Sequence, residues 1–124
     1  MLYAILCYGE ERVTEGLTRD EDGALMDRLR AVQEPFARRG KLGPVARLQP
    51  TAAAATLRKG GGGLVVDGPF AETKEQLLGF YVVDCESEAE ALEFARELAG
   101  AARHGTGAYE VRPVRDFRPG ALKP

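Results

Sequence analysis

Histidine, cysteine and tryptophan are scarce in this 124-residue chain, which has one histidine, two cysteines and no tryptophan. A structural zinc site takes about four Cys/His ligands. Cys7, Cys85 and His104 offer three, with no CxxC or HxxxH spacing, so no metal is expected. A Cys-His or Ser-His-Asp triad would have to use His104, which leaves any chemistry to carboxylates, Tyr, Lys or Arg. A surplus of one charge is also missing: 17 basic residues stand against 19 acidic ones, for a net charge of -2. The basic face of a nucleic-acid binder is therefore not expected. The sequence contains no apolar run of the length that spans a bilayer. The apolar start, Leu2 to Tyr8, lacks a basic flank and a cleavage site, so it reads as a strand and not as a signal peptide. A cytoplasmic protein without membrane contact is the expectation.

The rest of the composition is that of one ordinary globular domain, with 44% hydrophobic and 29% charged residues. A chain of this size buries about two thirds of its unfolded surface and needs no disulfide. Leu2 to Tyr8 predicts a central strand with both faces covered. Residues 10–17 are polar and predict a loop. Thr18-Arg-Asp-Glu21 is a capping box that opens a helix over Asp20 to Arg39, with Leu25, Leu29, Val32 and Phe36 as its apolar stripe. Pro35 should kink or end its last turns, and Gly40 is a natural stop.

Thr51 to Arg58 and Leu64 to Val66 flank four glycines and predict a hairpin with a flexible tip. A phosphate cradle is disfavoured there, because no Lys-Ser/Thr helix follows the glycines. Asp67-Gly-Pro-Phe70 reads as a turn, and the charged stretch Ala71 to Leu77 could form a short helical turn. Gly79 to Asp84 is an aromatic, β-branched strand. Ser87 to Glu90 opens a second helix, with Ala91, Leu92, Ala95, Leu98 and Ala99 inward and Gly100 at its end. Tyr109 to Val114 alternates as a half-exposed strand does, and Pro113 assigns it to a sheet edge. The order is the split βαβ pattern of a ferredoxin-like α+β subunit with an extra hairpin. The domain is expected over residues 1–114, followed by a polar tail over 115–124.

Asp67 is the leading site candidate. It leaves an apolar strand for a rigid turn, so its carboxylate could be aimed into a cavity as an acid-base group, or could simply bond backbone N–H groups of the turn. Tyr3, Tyr8 and Tyr81 lie on neighbouring central strands and could line a pocket or pack as core. Glu72, Lys74 and Glu75 form either a solvated face, a loop-fixing ion pair or a lid. Phe70 reads as a plug for the loop or a ligand contact. Cys7 reads as a small buried apolar residue. Cys7 and Cys85 fall at opposite ends of the sheet, too far apart for a disulfide. His104 reads as a loop or capping histidine.

The run Val66-Asp-Gly-Pro-Phe-Ala-Glu-Thr-Lys-Glu-Gln-Leu77, continued by Gly79-Phe-Tyr-Val-Val-Asp84, resembles the DGPF branch of the YCII-related family. Tyr8-Gly9 and Tyr109 to Val114 fit the same resemblance. It implies a bacterial cytoplasmic subunit that pairs into a dimeric α+β barrel. It implies a biochemical role that is mostly unassigned, with gene-level association to extracytoplasmic-function sigma factors. Some relatives act on small cyclic or chlorinated lactones through a His and an Asp, whereas the first helix here carries no histidine. Two functions follow as expectations. One is a homodimeric small-molecule-binding or accessory protein of a regulatory module. The other is a cofactor-free lyase or isomerase in which Asp67 and Tyr81 are catalytic and Tyr8, Asp67, Phe70, Glu72, Lys74 and Tyr81 contact the ligand.

Overall fold

The computed structural model describes residues 1–103 and 105–123. His104, singled out above, lies outside them. Ten elements follow the chain: β1 (Leu2–Gly9), α1 (Glu11–Glu15), α2 (Arg19–Arg38), β2 (Leu42–Arg47), a 3-10 turn at Thr51–Ala53, β3 (Ala55–Leu57), β4 (Val65–Asp67), β5 (Gln76–Asp84), α3 (Glu88–Ala102) and β6 (Ala108–Pro113). Four strands form one antiparallel sheet in the order β2-β5-β1-β6, and β3 pairs with β4 in a separate two-stranded sheet. The framework β1-α2-β2-β5-α3-β6 is the expected ferredoxin-like α+β fold. The hairpin is inserted between β2 and β5.

β1 pairs with β5 over its whole length, from Leu2 opposite Asp84 to Gly9 opposite Gln76, with an irregularity between Cys7 and Tyr8. The N-terminal amine locks one end by donating to the Asp84 carboxylate at 3.0 Å and the Cys85 carbonyl at 3.2 Å. Alternation along the strands puts Tyr3, Ile5, Tyr81 and Val83 on the helix side, where all are buried. Leu2, Ala4, Leu6, Phe80 and Val82 take the other side and are only half-buried. The expectation of a strand covered on both faces is thus corrected: both long helices lie on one face, and among the described residues no helix or second sheet layers the other.

The α2 capping box forms in full. The Glu21 N–H donates to the Thr18 hydroxyl, and the Thr18 N–H donates to the Glu21 carboxylate. Leu25, Leu29 and Phe36 are buried and Val32 packs against them. Pro35 does not end the helix. It sits in the last turn, so little of the helix lies beyond the missing hydrogen bond. In α3 the buried residues are Ala91, Phe94, Ala95 and Leu98, while Leu92 and Ala99 face outward. The 3.6-residue period favours Phe94 over both. Gly100 lies within the helix, which ends at Arg103 in the left-handed region at φ 63°.

Two further expectations are corrected, and one strand is added to them. Residues 10–17 contain the short helix α1 rather than a loop alone. Leu42–Arg47 is a strand that hydropathy hides, because Gly43-Pro44 breaks its alternation. It survives as an edge strand whose register shifts between Leu42 and Val45, a location that tolerates proline. The stretch 71–77 forms no helical turn, and its last two residues already belong to β5. Both cysteines are free, and they stand at opposite ends of the β1–β5 ladder, with Cys7 opposite Gly79 and the Cys85 N–H on the Met1 carbonyl.

Phe94 is the keystone between helices and sheet. It is 1% exposed, with ring centroids 4.8 Å from Phe36 and 5.8 Å from Tyr81 in an edge-on contact. Phe94→Ala should cost about 3–5 kcal/mol, read as a lower urea midpoint with an unchanged slope.

Arg47 on β2 makes two bonds, 2.7 and 3.0 Å, to the Asp22 carboxylate in the first turn of α2. These bonds hold the Asp22 carboxyl below its ordinary range, against a smaller opposing effect of burial. A carboxyl lowered by folding stabilises the fold above its unfolded pKa, and that contribution is lost as pH falls through the folded value. Asp22→Asn should therefore lower stability at pH 7, by no more than about 1 kcal/mol for so exposed a pair. The gap to the parent should shrink below about pH 4. Urea midpoints at pH 7 and pH 3 check this.

Candidate functional site

The helix side of the sheet runs short of large side chains at one end. Ile5, Tyr81 and Val111 fill one layer, but the next pair along β1 and β5 is Cys7 opposite Gly79. Gly79 cannot carry a side chain there, because a Cβ would strike the Ala46 carbonyl on β2. The space left over is a cavity of about 300 Å³ between the sheet and α2. Leu25, Met26 and Leu29 of α2 form its apolar wall, and Leu48 to Pro50 and Leu77 close one side. Glu11, Glu15, Arg30 and Arg47 lie around it, and Cys7, Tyr81 and Tyr109 supply its polar atoms on the sheet.

These three sheet groups are weak acids kept in their neutral forms. Burial pushes the Tyr81 hydroxyl up to about 12, aided by the Cys7 sulfur beside it. Burial also raises the Cys7 thiol, outweighing a hydrogen bond from Tyr109, and drives Tyr109 up further still. None is a ready nucleophile or base near neutral pH; each keeps a proton it can donate, and its oxygen or sulfur can also accept. Tyr81 is 7% exposed, and among the described residues no group hydrogen-bonds its hydroxyl. No side-chain polar atom of a described residue is both fully enclosed and unpaired, so the Tyr81 oxygen opens onto the cavity it lines.

The charged residues of the rim are mostly engaged. Glu11 accepts from the Thr51 N–H at 2.6 Å and the Thr51 hydroxyl at 2.7 Å, while its own N–H donates to Gln76. This clasp ties α1 to both roots of the inserted hairpin. Arg47 is held by Asp22, and Arg30 leans toward Asp27 at 3.4 Å. Among the described residues no cluster of His, Cys, Asp and Glu could hold a metal ion.

Of the six residues expected to meet a ligand, the structure brings only Tyr81 to this cavity. Tyr8 is on the opposite face of the sheet, where its hydroxyl lies 3.4 Å from Glu110. Asp67 ends β4 and is exposed, paired in register with Ala55 on the hairpin. Gly68 takes the left-handed φ of 104° that its turn needs, and its carbonyl accepts from the Thr56 hydroxyl. Phe70 is 70% exposed with the Arg58 guanidinium over its ring at 5.0 Å, and Glu72 and Lys74 are exposed beyond it. Asp67 and Tyr81 are therefore not assembled into one acid-base pair within this chain. The cavity residues missed in the sequence, Glu15 and Tyr109 among them, come from elements distant along the chain. The legible signal was the pairing of small residues, Cys7 and Gly79, on two strands otherwise rich in bulky ones.

The structure of a 5-chloro-2-hydroxyhydroquinone dehydrochlorinase from Burkholderia phenoliruptrix AC1100, in complex with 2,5-dihydroxybenzoquinone, is similar to this one. Its TM-score is 0.50 at 18% identity, and the match covers 94% of this chain and 96% of that one. At that identity the likeness speaks for the fold. An uncharacterised protein of Rhizobium meliloti (strain 1021) is 58% identical over 123 residues, 98% of either chain. The YCII-related domain matches residues 1–118, and the chain belongs to that family.

Proposed function

We propose that this protein binds a small ring compound in the cavity between α2 and the sheet, and that it does so as a homodimer. The Tyr81 hydroxyl carries the reading. A phenol with no protein partner, nearly enclosed at the wall of an apolar cavity, is the kind of convergent polar group that orients a ligand. The dehydrochlorinase of similar fold binds a quinone ring, which supports a ring of that size as the ligand class.

A lyase or isomerase would need a base beside Tyr81. The candidate Asp67 stands on the hairpin, so binding is the better-supported activity. Asp67, Phe70, Glu72 and Lys74 could contact a ligand only by a movement of that hairpin or through a second copy. The accessory role beside a sigma factor rests on the DGPF resemblance of residues 66–84.

The homodimer is supported by the apolar face that the helices leave open, with Leu2, Ala4, Leu6, Phe80 and Val82 in one patch. It is also supported by the apolar hairpin, where Leu57, Leu64, Val65, Val66 and Phe70 are all more than half exposed. Patches of this extent on a small chain ordinarily mark an interface.

Tyr81→Phe should reduce affinity for 4-hydroxyacetophenone about three- to tenfold, the value of one neutral hydrogen bond. The unliganded melting temperature should hold, because no protein bond is lost. Titration calorimetry together with a thermal melt measures both, and equal affinity of the two proteins would defeat the reading. Light scattering at micromolar concentration should give twice the chain mass of 13.4 kDa. Leu6→Glu should return it to the monomer mass.

A further inference from the structure

The cavity has two chemically different ends, and we infer that its ligand is an uncharged, two-ended ring compound, with a carbonyl oxygen directed at Tyr81 and a hydroxyl at the rim beside Glu15. This rests on the ligand-binding reading above and specifies the ligand class. The inward end holds neutral hydroxyl and thiol groups; the Tyr109 proton is directed at Cys7, so the proton left for a ligand there is that of Tyr81. Tyr81 has an unengaged hydroxyl among the described residues, with Cys7 and Tyr109 next to it. A carbonyl oxygen has the lone pair this proton needs and brings no charge into an apolar space.

The rim offers the reverse. Of the four charged side chains around the cavity, three are already engaged inside the protein: Glu11 by Thr51, Arg47 by Asp22 and Arg30 by Asp27. Glu15 is exposed, and among the described residues it makes neither an ion pair nor a side-chain hydrogen bond. Its charge is felt by Arg47 without contact. An unengaged carboxylate at the mouth accepts from a hydroxyl and repels an anion. A ring carboxylate thus meets Glu15 at the rim, where Arg30 and Arg47 are already paired with Asp27 and Asp22, and beside Tyr81 it finds neutral groups and no free cation to offset its desolvation. A phosphate meets the same barriers.

Four aromatic probes of closely similar size separate the parts of this inference by titration calorimetry on the full chain. 4-Hydroxyacetophenone should bind at least about tenfold more tightly than 4-hydroxybenzoate, in which a carboxylate replaces the acetyl group. It should also bind more tightly than acetophenone, which lacks the rim hydroxyl, and than 4-ethylphenol, which lacks the carbonyl. In Glu15→Gln the advantage of 4-hydroxyacetophenone over acetophenone should fall about threefold, since an amide is a weaker acceptor than a carboxylate. The affinity for 4-hydroxybenzoate should rise in the same variant. Far-ultraviolet circular dichroism verifies that the variant is folded, as expected for an exposed position.

If 4-hydroxybenzoate binds the parent protein as tightly as the ketone, the ligand reading stands and the inference of an uncharged ligand is overturned. If the four neutral and acidic probes bind but the Glu15 substitution changes no ratio, the two-ended orientation is overturned. If none of the four binds, the cavity is not the ligand site and both readings fall together.

Discussion

The antiparallel ladder between β1 and β5 sets the geometry of everything else. Its register puts Leu2 opposite Asp84 and Cys7 opposite Gly79. From this one alignment follow the ion pair of the N-terminal amine, the buried layer of Tyr3, Ile5, Tyr81 and Val83, and the gap beyond that layer where the cavity lies. A shift by one residue would turn every one of these side chains to the opposite face. It would place Phe80 and Leu6 beneath the helices and send Tyr81 to the open side. The contact of Phe94 with Phe36 and Tyr81 holds the helices to the correct face and so selects the register.

Electrostatics divides the molecule along similar lines. Near the cavity most charged side chains are engaged locally, Asp22 with Arg47 and Glu11 with Thr51, which join α2 to β2 and α1 to the hairpin root. The polar groups that β1, β5 and β6 give the cavity are weak acids, whose titration burial moves away from neutrality. Such a lining is poor in reactive groups and rich in donors. Its physical character is that of a receptor surface, and the residues that make it so are spread over the four strands of the main sheet, three helices and the loop after β2.

The inserted hairpin is the part least integrated with the fold. Its two short strands pair with each other, and a two-stranded ribbon alone is marginal in water. Its roots are well fixed. Thr51 is bonded to Glu11, and the Gly68 N–H donates to the Ala54 carbonyl at 2.7 Å. Both roots also border the cavity, through Leu48 to Pro50 on one side and Leu77 to Leu78 on the other. Whatever covers the exposed apolar side chains of the hairpin is therefore mechanically connected to the wall of the binding space.

The sequence by itself determined the helix starts, the core stripe of α2, the central strand, the glycine hairpin tip and the separation of the two cysteines. Those features are local or periodic, and capping chemistry or a repeat of 3.6 or two residues announces them. It also carried the family, since residues 66–84 form one long continuous motif. Tertiary structure alone decided which strand joined the main sheet, because Gly43-Pro44 conceals β2 until β5 supplies its partner. It decided that Phe94, and not Leu92, anchors α3. It also decided the site: Tyr8 and Tyr81 look equivalent along the chain, yet the pleat sends them to opposite faces, and Asp67 is carried outward on the hairpin. A cavity is an absence created where side chains from distant segments fail to meet, and no contiguous stretch of sequence can specify it.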